Sequence, residues 1–272
     1  MPPRRRKISK ADFDELAWAH RQLEHPSLAA KFTNFLGLPI EGAAQMLPKG
    51  WSERVNRASM AAVRGALHLA VQTLDPDSEG RDLRNRYKML GATSGALGGF
   101  FGLPGLLIEL PLTTTLLLRS IAHIAQSEGE DLSELETRLA CIQVFAFGAR
   151  SIEDNAAETG YFAIRFVIAY HLSNLPANMA QKIATEQSLP ATMSVIRGIA
   201  ARFGVAISDK AAAQMVPVLG AAGGALINTM FMQHYQDVAR GHFVLRRLER
   251  KYGQEIIQAA YEDLTSAERA AG

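Results

Sequence analysis

Seven histidines, one cysteine and a scatter of acids are the raw material for chemistry in this chain of 272 residues, and their spacing limits what they can do. A zinc peptidase needs two imidazoles one helical turn apart with a glutamate beside them, so that both rings reach one ion. The nearest pattern is His20-Arg-Gln-Leu-Glu-His25, where the histidines stand five apart instead of four and Pro26 ends the helix. Both read as polar surface residues, and no metal is expected. "GATSG" places Ser94 one position too late for the strained Gly-x-Ser-x-Gly nucleophile turn, and there is no Gly-x-x-x-x-Gly-Lys-Ser/Thr phosphate loop. No cofactor is expected either. Cys141 lies in the apolar helical run "RLACIQVF", which makes it a small buried hydrophobe and not a nucleophile.

The residues left for catalysis are Glu109, Arg119, His123, His234 and Asp237. Thr115, Arg119, His123 and Ser127 recur every four residues and form one polar stripe on a helix that is otherwise apolar. If exposed, the stripe is the wet side of an amphipathic helix; if buried, Arg119 needs an acid from another helix, such as Asp237 or Glu153. His234 and Asp237 stand three apart, so a hydrogen bond could orient the imidazole as a base, although no nucleophile can be named. Asn228, alone in "GALINTMFM", is expected to hydrogen-bond across a helix interface, because an unpaired buried amide costs about 1–3 kcal/mol.

The elements that must position these groups are all helical. Apolar residues recur at three- and four-residue spacing, and runs of alternating β-branched and aromatic residues are absent. The expected fold is all-α, a single multi-helix bundle over residues 11–264, with a mobile basic N-terminus at 1–10 and a mobile tail at 265–272. Helices are expected over Ala11–Glu24 and Trp51–Leu74, and a third from near Arg81 into a glycine-rich segment. Pro104 and Pro111 should each interrupt the helical path, with Pro111 opening a helix over Leu112–Ser127. Gly129 should cap that helix, and Asp131 should act as the next N-cap with Glu134 three residues on. Further helices are expected over Leu135–Phe147, Ile152–Leu172, Pro176–Glu186, Pro190–Phe203, Asp209–Arg240 with a kink at Pro217, and Phe243–Leu264.

The glycines need a reason, since each costs about 1 kcal/mol against alanine inside a helix. Gly91, Gly95, Gly99 and Gly102 in one segment and Gly220 and Gly224 in another place small residues four apart ahead of a bulky apolar run. That spacing clears a groove in which two helix backbones can nearly touch, so close-packed central helices are expected there.

The net charge of +2 is too small for a general nucleic-acid binder, and no nucleic-acid partner is expected. The charge is uneven, however. Arg4, Arg5, Arg6 and Lys7 cluster at one end and Arg246, Arg247, Arg250 and Lys251 near the other, and both clusters could meet an anionic surface. A lone cysteine and a basic start without an apolar segment behind it point to a reducing, cytoplasmic setting. Met89–Ile108 and Ala211–Gln233 carry no charge and approach the length of a membrane span, yet glycines and polar residues interrupt both. They read as buried helices in contact with other helices, with a membrane hairpin as the alternative.

The segments Gly102–Gly148, with its Leu-Pro-Leu-Thr-Thr-Thr run, and Pro217–Gly253, ending in "RRLERKYG", together with "HPSLAAKFTNFLGLPI", resemble the EcsC family of bacterial proteins. The resemblance covers most of the chain in matching order, with Glu109 as the acid beside the Leu-Pro pair. It implies a largely helical protein with no settled biochemical activity. The expectation is a non-enzymatic interaction module at the cytoplasmic face of a membrane, whose partner is an anionic membrane surface or a membrane-bound protein. The alternative is a peptidase-like hydrolase built from His234, Asp237, Arg119 and Glu109.

Overall fold

The computed structural model describes residues 7–24, 28–37, 47–73, 84–148, 160–166, 190–215 and 220–271. Eight named helices form among them: α1 (Lys10–Glu24), α2 (Leu28–Leu36), α3 (Trp51–Thr73), α4 (Arg84–Ser127), α5 (Leu135–Phe147), α6 (Pro190–Gln214), α7 (Gly220–Tyr252) and α8 (Gln254–Ala271). Residues 161–166 add a short helical stretch, and no strand occurs among the described residues. The expected all-α fold is thus observed.

At the centre lies α7, whose residues are buried on nearly every side: Ile227, Phe231, Tyr235, Val238, Phe243 and Leu248 all sit in the core. Around it Phe145 and Phe203 stack against Tyr235 at centroid distances of 5.9 and 5.7 Å. Among the described residues the broadest interface is between α4 and α7.

The path of α4 is decisive. A straight helix would hold Ser94 and Thr113 about 28 Å apart at 1.5 Å per residue, yet their hydroxyls are 3.5 Å apart. The rings of Tyr87 and His123 likewise meet at 5.7 Å. The helix therefore doubles back as a hairpin, and both pairings centre on residues 103–105, around Pro104. We call residues 84 to about 102 the first arm and about 105 to 127 the second. The interruption expected at Pro104 is a reversal of the chain. Pro111, in contrast, does not open a helix but lies inside the second arm. It is exposed, so the backbone bond it removes is lost on the side where water can replace it.

Other boundaries also shift. Gly129, at φ 79°, ends α4 as expected: Gly129 N–H donates to Gln126 O and Glu130 N–H to Ala125 O, each at 3.0 Å. Asp131 is not the next N-cap, because its carboxylate accepts from Ser133 N–H in a local turn and Glu134 takes the cap position. Burial of Phe203, Ala206 and Ile207 on one face carries α6 past its expected end, through Asp209 to Gln214. Gly253, at φ 98°, divides the segment expected as one helix over Phe243–Leu264. The last helix runs on to Ala271, through the residues expected as a tail, where Thr265 meets the buried His20 ring at 2.8 Å. The kink at Pro217 and the helices at 152–159, 167–172 and 176–186 lie outside the described residues.

Candidate functional site

The glycine-rich arm meets α7 where the spacing predicts. A Cβ on Gly95 would stand 2.6 Å from the Gly224 carbonyl oxygen and overlap Asn228, and one on Gly91 would stand 2.7 Å from Met232 Cγ. No side chain fits between these two backbones, so the four-residue spacing is required by contact. The surroundings of Gly99, Gly102 and Gly220 lie outside the described residues.

Asn228 is fully buried and crosses the interface. Its amide donates to the Gly91 carbonyl and, at 3.1 Å, to Ser94 Oγ. From there a polar chain continues through the core: Thr113 Oγ1, 3.5 Å from Ser94, donates to Glu109 Oε1 at 2.7 Å, and Lys210 Nζ donates to the same oxygen at 2.9 Å. Lys210 also faces the Phe231 ring at 5.1 Å. Both arms of the hairpin, α6 and α7 are joined by this line of partners. Breaking a buried pair such as Glu109–Lys210 by removing one member leaves an uncompensated charge, so the line fixes register.

The catalytic candidates take up separate structural duties. Glu109 is consumed by Thr113 and Lys210. Arg119 and Ser127 are exposed and Thr115 and His123 half-buried, so the stripe is the wet side of the second arm and Arg119 needs no buried acid. His123 leans on Tyr87, and burial together with Arg119 lowers its pKa. Glu109 and Arg119 are ten residues apart on one arm, about 15 Å along its axis.

His234 does not bond Asp237. Its Nε2 meets the Gly148 carbonyl at 2.6 Å, and since a carbonyl only accepts, Nε2 carries the proton. Burial, with Lys31 nearby, brings the His234 pKa down to about 3, too weak a base to serve at neutral pH. Asp237 instead accepts from Gln233 at 2.7 Å. Its pKa is raised by burial, against the pull of Lys31. The pair fails because three residues along α7 turn the two side chains to different neighbours. Nothing therefore assembles a nucleophile, a base and an oxyanion donor from His234, Asp237, Arg119 and Glu109.

The basic residues near the C-terminus also prove to be occupied. Arg246 holds Glu130 through Nε at 2.9 Å and Nη2 at 3.0 Å, and Glu136 at 3.1 Å. Arg247 reaches Glu128 and Glu15, Arg250 reaches Glu130, and Lys251 reaches Asp12. Burial alone would raise the pKa of Glu130, but the two guanidinium groups hold it below the usual carboxylate range. Four cations face five carboxylates, so this cluster is a clamp joining α1, the turn after α4, the start of α5, and α7, and not a free cationic surface. Lys7 is exposed, whereas Arg4, Arg5 and Arg6 lie outside the described residues.

The sequence did not disclose Lys210 or the acids of the clamp as functional partners. A single lysine in "SDKAAAQ", followed by three fully buried alanines, was the available signal. Cys141 is buried as expected, with its thiol pKa pushed up by burial. Among the described residues no group of three His, Cys, Asp or Glu could hold a metal ion.

No curated protein and no solved structure matches the chain. A model of the EcsC protein family, however, matches residues 11–248, which span α1 to most of α7 and include the glycine crossing, the Glu109–Lys210 pair and the hairpin. The chain therefore belongs to the EcsC protein family.

Proposed function

We propose that this protein is a non-enzymatic interaction module that acts at the cytoplasmic face of a membrane. The observation that carries the reading is the meeting of its two charge-free stretches. Met89–Ile108 and Ala211–Gln233 are separate windows in the sequence, but Gly95 lies against Gly224 and Asn228, so the two stretches pack against each other at that crossing. Aliphatic side chains remain exposed there, among them Met89, Ile108 and Leu226. The stretch Leu103–Ser127, which takes in the reversal and the second arm, is long and apolar enough to cross a membrane, but 61% of its apolar window is buried against the protein, as in a core helix. Association at the surface fits that burial better than spanning.

Fractionation of cells producing the chain tests the reading. The protein is expected in the membrane fraction at low salt and in the supernatant after a high-salt wash without detergent. Recovery wholly in the supernatant at every salt concentration would refute it.

A further inference from the structure

The hairpin of α4 exposes a face that its own fold does not use. On the first arm Arg86, Met89, Leu90 and Thr93 are exposed at helical spacing, with Met89 73% and Leu90 45% accessible. On the second, Pro104, Ile108, Pro111 and Leu112 line up the same way, with Ile108 81% and Leu112 53% accessible, and Arg119 follows two turns later. Because the arms run antiparallel, Arg86 and Arg119 come to the same end, where both act on the Tyr87 hydroxyl. The first arm thus carries Met89 and Leu90 within about a turn of Arg86 at the base, and the second carries Ile108 and Leu112 toward the reversal, beyond Arg119. The only acid in α4 is Glu109, which is buried and held by Lys210, so the outer face carries positive charge and no negative charge.

We propose that this face, Met89, Leu90, Ile108 and Leu112 with Arg86 and Arg119 at its base, is a shallow insertion surface for one anionic lipid leaflet. The inference rests on the membrane reading above and names the part of the molecule that makes the contact. Charge complementarity selects the occupant: guanidinium groups at the rim suit anionic headgroups, and the unbranched and branched aliphatics beyond them suit acyl chains. Dimensions agree. From Met89 to the reversal at Pro104 is about 22 Å of helix, more than one leaflet's half of a ~30 Å hydrocarbon core and less than the whole. An obliquely seated hairpin therefore enters one leaflet while the Glu109–Lys210 pair stays inside the protein. The clamp residues Arg246, Arg247, Arg250 and Lys251 take no part, since their charge is already answered by carboxylates.

Cys141 is fully buried, so single cysteines can be labelled in the otherwise native chain. Ile108→Cys, Leu112→Cys and, as a control on the exposed side of α8, Ala259→Cys would carry the environment-sensitive fluorophore NBD. With vesicles of 30% anionic lipid at low salt, the labels at 108 and 112 are expected to brighten severalfold and shift to the blue, while the label at 259 stays unchanged. Replacing both Arg86 and Arg119 by Gln should weaken vesicle binding roughly 25-fold, about fivefold per cation. Chain that binds vesicles with unchanged labels at 108 and 112 would overturn the assigned face and leave the membrane reading standing. No binding of any variant would overturn both. Brightening without lipid, rising with protein concentration, would assign the face to self-association and overturn the lipid proposal.

Discussion

Gly95→Ala adds one methyl group at the tightest point of the molecule, and its effect can be worked out from the structure. In an unconstrained helix the change would stabilise by up to about 1 kcal/mol, because alanine has the better helix propensity. Here the new carbon would lie 2.6 Å from the Gly224 carbonyl oxygen and overlap the base of the Asn228 side chain. Neither can swing away: one is backbone, and the other is held by its bonds to Gly91 O and Ser94. Forced separation of a packed interface costs about 1–3 kcal/mol. Strained or lost bonds of Asn228 add about 1–2 kcal/mol. Set against the propensity gain, the net expectation is a loss of about 1–4 kcal/mol. Gly198→Ala is the matched control, since a Cβ there meets nothing within 4 Å, and it should leave stability unchanged or raise it slightly. Urea unfolding followed by circular dichroism measures both at once. Equal midpoints for Gly95→Ala and the native chain would refute the close-packing argument and leave the glycines without a reason.

Three further outcomes are expected. Arg246→Gln strips a two-point contact from the buried Glu130 and should cost about 2–3 kcal/mol in urea unfolding, less than a fully orphaned buried charge because Arg250 remains; Arg119→Gln, on the wet face, should cost almost nothing. Asp209, raised by burial from 3.8 to about 7, keeps its proton in the folded chain after the unfolded chain has lost it, so it lowers stability as pH rises from about 4 to 7. The gain from Asp209→Asn in thermal melts should therefore grow across that interval and level above pH 7 at about 2 kcal/mol, below the full conversion of the shift because the carboxyl is partly solvated. A chelator should leave the melting temperature of the native chain unchanged, and a fall of several degrees would reveal a metal that the ligand spacing does not suggest.

Helical class was readable because it depends on periodicity, which α1, α3 and α8 carry within their own residues. The crossing at Gly95 and Gly224 was readable for the same reason: small residues four apart have few uses besides contact between backbones. Partnership was far less legible. Nothing local in "HYQD" tells whether His234 turns toward Asp237 or toward Gly148, which lies 86 residues away in the chain. The basic run near Arg246 looked like a surface because its neutralising acids, Asp12, Glu15, Glu128 and Glu130, come from α1 and from the turn after α4, both distant in the chain. The reversal at Pro104 could be anticipated as a break, but its consequence could not, because the contact of Ser94 with Thr113 depends on how both arms pack on α7.

The measurement that bears most directly on the account is co-flotation of the purified native chain with vesicles. With one-third anionic lipid at low salt, the chain is predicted to float, and high salt is predicted to release it; neutral vesicles should leave it at the bottom of the gradient. Retention through a high-salt, alkaline wash would contradict peripheral association in favour of a spanning hairpin. Failure to float on anionic vesicles at any salt concentration would contradict the membrane role itself.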